Sequence, residues 1–300
     1  MSARHVRPAR PARPARPAHT VTPRRTHGSL VALLVGLVVF AAAWQVVATW
    51  YAGRVDHPEY VMPDLLHAVQ HGLPGLSDYY SGRLGGTPPA EGGDATAWMG
   101  VLALVDNALV SLGRLVTGLV LGVALGVSLG LLMSWSAPLR AAFGGLANLS
   151  RMLPLLALGP LFTLWFGANS VASIVFIVFC VAPIMLMATM TGVERLDRDQ
   201  VAYARTLGAT RRQVWSRIVP RAVVPEVAGS LSVACVLAWS VLLASELWGI
   251  QDGIGWMMGQ ALDFTQVGAV MVIAVGFIVL TFVIVQLLQT GVRRATRWAE

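Results

Sequence analysis

Residues 194–226 read ERLDRDQVAYARTLGATRRQVWSRIVPRAVVPE. The stretch carries seven Arg and four carboxylates, and the long apolar runs on either side of it are almost free of charge. A polar island between two runs of membrane-spanning length has to lie in water at the bilayer surface. Inside it, Asp197 and Asp199 are N-cap residues by type. Val201, Ala204 and Leu207 recur at helical spacing and predict a short helix with one small apolar face. Gly208 follows where a left-handed stop is expected. Thr210, with Gln213 three residues on, predicts a capping box that opens a second helix, with Val214, Trp215, Ile218 and Val219 on its apolar face. Pro220 and Pro225 are expected to end or kink that helix before the next apolar run. The result is a docking knob, two short surface helices around a glycine hinge.

Composition agrees with a polytopic membrane protein. The 300 residues are 56% hydrophobic and 12% charged, against about 25% charged in soluble domains. All 22 basic residues are Arg. Without Lys, a GxxxxGK[ST] phosphate loop and a Schiff-base lysine are both excluded, so any ATP that drives this chain is hydrolysed on another subunit. Cys180 and Cys235 sit in apolar runs without ligand spacing and read as small buried hydrophobes. His67 and His71 stand four apart with no third ligand nearby; neither a metal nor a cofactor is expected. Gly126-Val127-Ser128-Leu129-Gly130 fits GxSxG, but it lies in a helical glycine repeat and no His follows His71 to act as base.

In chain order, residues 1–28 form an Arg/Pro-rich tail in which Arg-Pro-Ala repeats four times from Arg7. Such a run favours extended polyproline II over a packed core and suits anionic lipid better than nucleic acid. Residues 29–52 are a first span. Its apolar run continues past the Ala41-Ala42-Ala43 cluster, which favours an anchor over a cleaved signal. Residues 53–103 form a polar, acidic insertion with a short amphipathic helix. Residues 104–292 are a five-span core, with runs at 105–134, 139–167 (interrupted at Arg151–Pro154), 170–191, 223–247 and 264–288. Residues 293–300 form the C-terminus. Gly118, Gly122, Gly126 and Gly130 repeat every four residues in the second span, a zipper for close helix packing. The expected fold is an all-α bundle of six transmembrane helices. Arginine counts put both ends and the 194–222 loop in the cytoplasm and residues 53–103 outside.

The run ARTLGA at 204–209, followed by IVPRAVVP at 218–225, resembles the cytoplasmic coupling loop of type I ABC importer permeases. The nitrate/sulfonate/taurine subgroup is the most similar, over about residues 60–290. Ala204, Gly208 and Ile218 match the family's EAA-x3-G-x9-I-x-L-P pattern. Ala202 stands in place of its Glu, Tyr203 in place of its first Ala, and Val219 in place of the Leu before Pro220, one residue closer to Ile218 than in the pattern. Gly253-Ile254-Gly255 is similar to the family's GLG turn. The resemblance implies a permease subunit for a small, anionic solute, without enzymatic activity of its own. It implies ABC ATPase subunits docking on Val201, Ala202, Tyr203, Ala204, Arg205, Thr206, Leu207, Gly208 and Ala209. It also implies an external solute-binding protein and a second copy of the permease in the bilayer. An osmoprotectant-type permease is the neighbouring reading; a membrane-embedded enzyme or a structural anchor are readings from other classes.

Charges away from the ends of the spans need a reason to be there. Arg114 and Glu246 both lie toward the external side, where a lone charge costs about 3 kcal/mol. They either snorkel to the interface or pair inside the bundle, and the family's spans carry an Arg and a Glu at matching places. If they pair, a double charge swap is expected to recover part of what each single swap loses. Arg151 stands beside Pro154, where unwound backbone can line a cavity. Arg114, Arg151, Pro154 and Glu246 are therefore the candidate translocation or gating residues.

Overall fold

Long apolar stretches with few helix breakers fold as helices because, in hydrocarbon, every backbone group has to be satisfied within its own segment. The computed structural model describes residues 27–150 and 152–297. The first helix, α1, spans His27–Ala52. Next comes a string of short turns from Pro58 to Glu91. The longer helices are then α2 (Ala97–Trp135), α3 (Ala137–Ser150), α4 (Leu155–Phe166), α5 (Ser170–Glu194), α6 (Arg198–Thr206), α7 (Arg211–Leu247), α8 (Ile254–Asp263) and α9 (Val267–Ala295). Among the described residues, α2, α5, α7 and α9 are long and apolar enough to cross a membrane, and α4 is a shorter apolar helix. Two compact units are present: one ends at Val46, and the other begins at Val47 and holds everything discussed below. The Arg/Pro tail up to residue 26 and Arg151 lie outside the described residues.

Three boundaries differ from the sequence reading. Helix α2 begins at Ala97, within the stretch expected to be external loop, because Thr96 caps it by accepting from the Met99 N–H. The interrupted third run is two helices, α3 and α4, with Pro154 as the N-cap of the second. The helix expected to stop or kink at Pro220 and Pro225 instead runs on as α7. A wide π turn over Val214–Ile218 precedes Pro220, which then sits in the first turn of the α-helical part, where its missing N–H costs least.

The core is α2 against α5 and α7. Leu115, Ile177, Val181, Met185, Trp239 and Leu242 fill it, all essentially buried. The zipper glycines set the approach. A Cβ on Gly118 would lie 2.7 Å from the Ile177 Cβ, on Gly122 2.7 Å from the Val181 Cβ, and on Gly130 2.7 Å from the Thr189 Cβ. The four glycines thus let α5 lie directly on the backbone of α2.

Candidate functional site

At one end of α2 the sequence places Asp106, Asn107, Ser111 and Arg114 at spacings of three, four and seven to eight, so they share one helical face. This polar stripe meets the turn joining α7 to α8. The three successive N–H groups of that turn are each taken by a side chain. Gly253 donates to Asn107 Oδ1 at 2.8 Å, Ile254 to Ser111 Oγ at 2.9 Å, and Gly255 to Glu246 Oε2 at 3.0 Å. Gly253 has φ +103°, and a Cβ there would sit 2.5 Å from the Glu246 carboxylate. Glycine is therefore required at this position both by backbone conformation and by space.

Arg114 and Glu246 are brought together. Nη1 of Arg114 donates to Glu246 Oε1 at 2.9 Å and to the Asp252 carbonyl at 3.0 Å; Nε donates to Ser170 Oγ at 3.0 Å, and Nη2 pairs with the Asp252 carboxylate. Ser111 Oγ is also within hydrogen-bond distance of both Glu246 oxygens, at 2.9 and 2.8 Å. Arg114 is 5% exposed and Glu246 1%. Neither snorkels, and all three nitrogens of the guanidinium are engaged.

The network reaches outward through Arg83, which lies 3.9 Å from Asp106 and 3.6 Å from Asp252; Ser81 donates to Asp106. The short turns of residues 65–79 anchor at the same end. Tyr79 donates to Gln266 at 3.0 Å, and burial, with the Asp78 charge second, raises its phenol above the ordinary range. The sequence reading missed Asn107, Ser111, Asp106, Asp252 and Ser170. The first three were legible as a polar stripe in an apolar helix. Asp252 and Ser170 come from turns that only the folded chain brings near Arg114.

At the opposite end lies the loop around α6. Asp197 caps α6, accepting from the Asp199 N–H. Gly208 has φ +86°; its N–H reaches the Arg205 carbonyl at 2.9 Å, and the Ala209 N–H reaches Ala204 at 3.0 Å, the two bonds of a Schellman stop. Thr210 and Gln213 form the capping box. Val201, Ala204 and Ala209 are half-buried, while Ala202, Arg205 and Thr206 face out. Leu207 departs from its expected place on the inner face: it is 72% exposed beside Tyr203 at 67%, because the Schellman stop turns the chain outward there. A shallow groove of about 300 Å³ runs beneath, between Leu207 and Val214.

Pro154 is exposed and follows Leu153, which with Leu129, Met133, Phe143, Phe179 and Leu186 lines an apolar groove of about 830 Å³.

Residues 118–298 match the binding-protein-dependent transport system inner membrane component family. This chain belongs to that family. It is similar to a probable ABC transporter permease of Brucella abortus, with 33% identity over 66% of this chain and 79% of the relative. It is likewise similar to the taurine transport system permease of Escherichia coli, with 30% identity over 68% and 72%. The fold is that of a solved chain described as an inward-facing conformation of a methionine ABC transporter, with a TM-score of 0.55 and 18% identity, covering 66% of this chain and 96% of that one. The protein is thus a multi-pass membrane permease subunit of an ABC importer. Its α6 loop falls inside the matched region, whereas Arg83, Asp106, Asn107, Ser111 and Arg114 precede it.

Proposed function

We propose that the permease forms the translocation pathway for a small sulfonate-bearing solute of the taurine type, with the α6 loop as the seat of a separate ATPase. Both chain ends and the α6 loop then face the cytoplasm, following the arginine distribution, and the Arg114 network lies at the external side, where a solute-binding protein would deliver cargo. Two copies of the permease would enclose the path. The observation that carries this reading is the Tyr203–Leu207 pair. Two large apolar side chains, held out in water by a fully capped helix stop, are a docking feature and not a packing one. Arg114 is consumed by internal partners, so recognition of the solute's anionic group falls to the delivering protein. Arg151 and Pro154 are proposed to border the path, and the network around Glu246 to close it externally.

Gly208→Val tests the loop. A β-branched residue resists φ +86° by about 1–2 kcal/mol, enough to misdirect Tyr203 and Leu207. Taurine uptake by the reconstituted importer is expected to fall at least tenfold, with the permease still inserted and its ATPase partner bound weakly or not at all. Uptake near wild type would remove the loop from the docking role, and uptake outcompeted by a betaine but not by alkanesulfonates would replace the substrate class. The topology is checked by reporter fusions: residues 208 and 297 should read cytoplasmic and residue 85 external, and inversion at any one of them overturns the orientation.

A further inference from the structure

The α6 loop has two physical routes into the bundle. One is direct: the chain continues from Thr210 into α7. That junction is soft, because it is a π turn over Val214–Ile218 followed by Pro220 and Pro225, two residues that cannot donate to the helix ladder. The other route has no covalent link. Trp215, in the π turn, packs its ring 4.9 Å from the ring of Trp135, the last residue of α2, and the guanidinium of Arg211 lies 4.6 Å over that same Trp135 ring. Arg140 folds back on the end of α2, donating to the Met133 and Ser134 carbonyls just before Trp135. Helix α2 contains no Pro and runs unbroken from Ala97 to Trp135. Arg114 lies about 31 Å up the same rod, at ~1.5 Å per residue. Its partner Glu246 is at the far end of α7.

We infer that Trp135, Trp215 and Arg211 form a clamp that transmits movement of the α6 loop to α2, and so to the Arg114–Glu246 pair, in parallel with the flexible α7 junction. This rests on the loop being the ATPase seat, but it assigns a separate element: these residues position helices and do not dock a partner. A Trp pair near a membrane surface has a plainer use as an interfacial anchor. The two uses differ in what they protect. An anchor protects insertion and stability, whereas a clamp protects the amount of solute moved per ATP.

The experiment uses the whole importer, permease with ATPase and solute-binding protein, in proteoliposomes, measuring taurine uptake and ATP hydrolysis together. Trp135→Leu is expected to lower uptake per ATP about tenfold while the ATPase stays bound and hydrolysis continues. Trp135→Phe, which keeps a ring for Trp215 and Arg211, should hold most of the ratio. Trp135→Leu/Trp215→Leu should be no worse than Trp135→Leu alone, because Trp135→Leu already removes both contacts of the link. An unchanged ratio in Trp135→Leu overturns the clamp. So does a loss of uptake that tracks only the amount of inserted permease, or a double variant whose losses multiply. Release of the ATPase by Trp135→Leu also overturns it, by placing Trp135 on the docking surface. Failure of the loop reading shows up differently, as Gly208→Val retaining both the ATPase and transport.

Discussion

Arg114→Met is expected to abolish transport and to leave little folded permease after mild detergent extraction. The substitution keeps the volume of the side-chain stem and removes the charge. Glu246 and Asp252 then face each other without a cation between them, and Glu246 is 1% exposed. Breaking a buried pair by removing one partner costs about 3–5 kcal/mol, a large share of the stability of an ordinary domain. Glu246→Gln should cost less, about 1–3 kcal/mol, because the new amide NH2 replaces one acceptor oxygen and leaves part of its three donors, Arg114, Ser111 and the Gly255 N–H, without an acceptor. The combination Arg114→Met/Glu246→Gln should be milder than the sum, since the uncompensated buried carboxylate has gone and Asp252, 36% exposed, can turn toward Arg83. The check is thermal unfolding of the three variants in one detergent. Strictly additive shifts would mean that the two side chains are not energetically coupled. A charge swap, the test the sequence alone suggests, is no longer expected to rescue. An arginine at 246 would have to enter space bounded by Gly253 and Gly255 and point its donors at the Gly255 N–H.

The legibility of this molecule in its sequence follows the reach of the physics. Local rules sufficed for the loop: the Asp197 cap, the Gly208 stop and the Thr210–Gln213 box each depend on a handful of consecutive residues, and each is present. Leu207 was misplaced because helical periodicity was extended to a residue where the Schellman turn had already ended the helix. Pro220 was misread for a related reason. Proline breaks an ordinary α-helical interior, but a π turn just before it gives the ring a first-turn position. The Arg114–Glu246 pair was approachable from the cost of burying charge, which demands a partner without naming its geometry. Asp252 and Arg83 could not be inferred in that way. They lie in turns with ordinary polar composition, and their role arises only where three segments converge.

Gly126→Ala is expected to be almost as damaging as the loss of Arg114, although it adds a single methyl group in a helix that alanine favours. A Cβ on Gly126 would run into the Ala182 backbone carbonyl and lie 2.7 Å from the Met185 Cβ. Neither atom is the free end of a flexible side chain, so relief requires α5 to move away from α2. That motion would open the contacts at Gly122 and Gly130 as well, because both pack along the same pair of helices. Overpacking of this kind costs about 1–3 kcal/mol at one site and more where rigid backbone is the obstacle. Gly113 supplies the control. It lies on the same helix with nothing within 4 Å of its would-be Cβ, so Gly113→Ala should leave the yield of folded permease unchanged or slightly raised by the better helix propensity, about 1 kcal/mol. Yield and thermal unfolding of the two variants, prepared side by side, separate the causes. If both alanines behaved alike, tight packing of α5 on the zipper face would not be what holds these helices together. If only Gly126→Ala fails, the glycine repeat is a steric requirement of the α2–α5 interface and not a by-product of apolar composition.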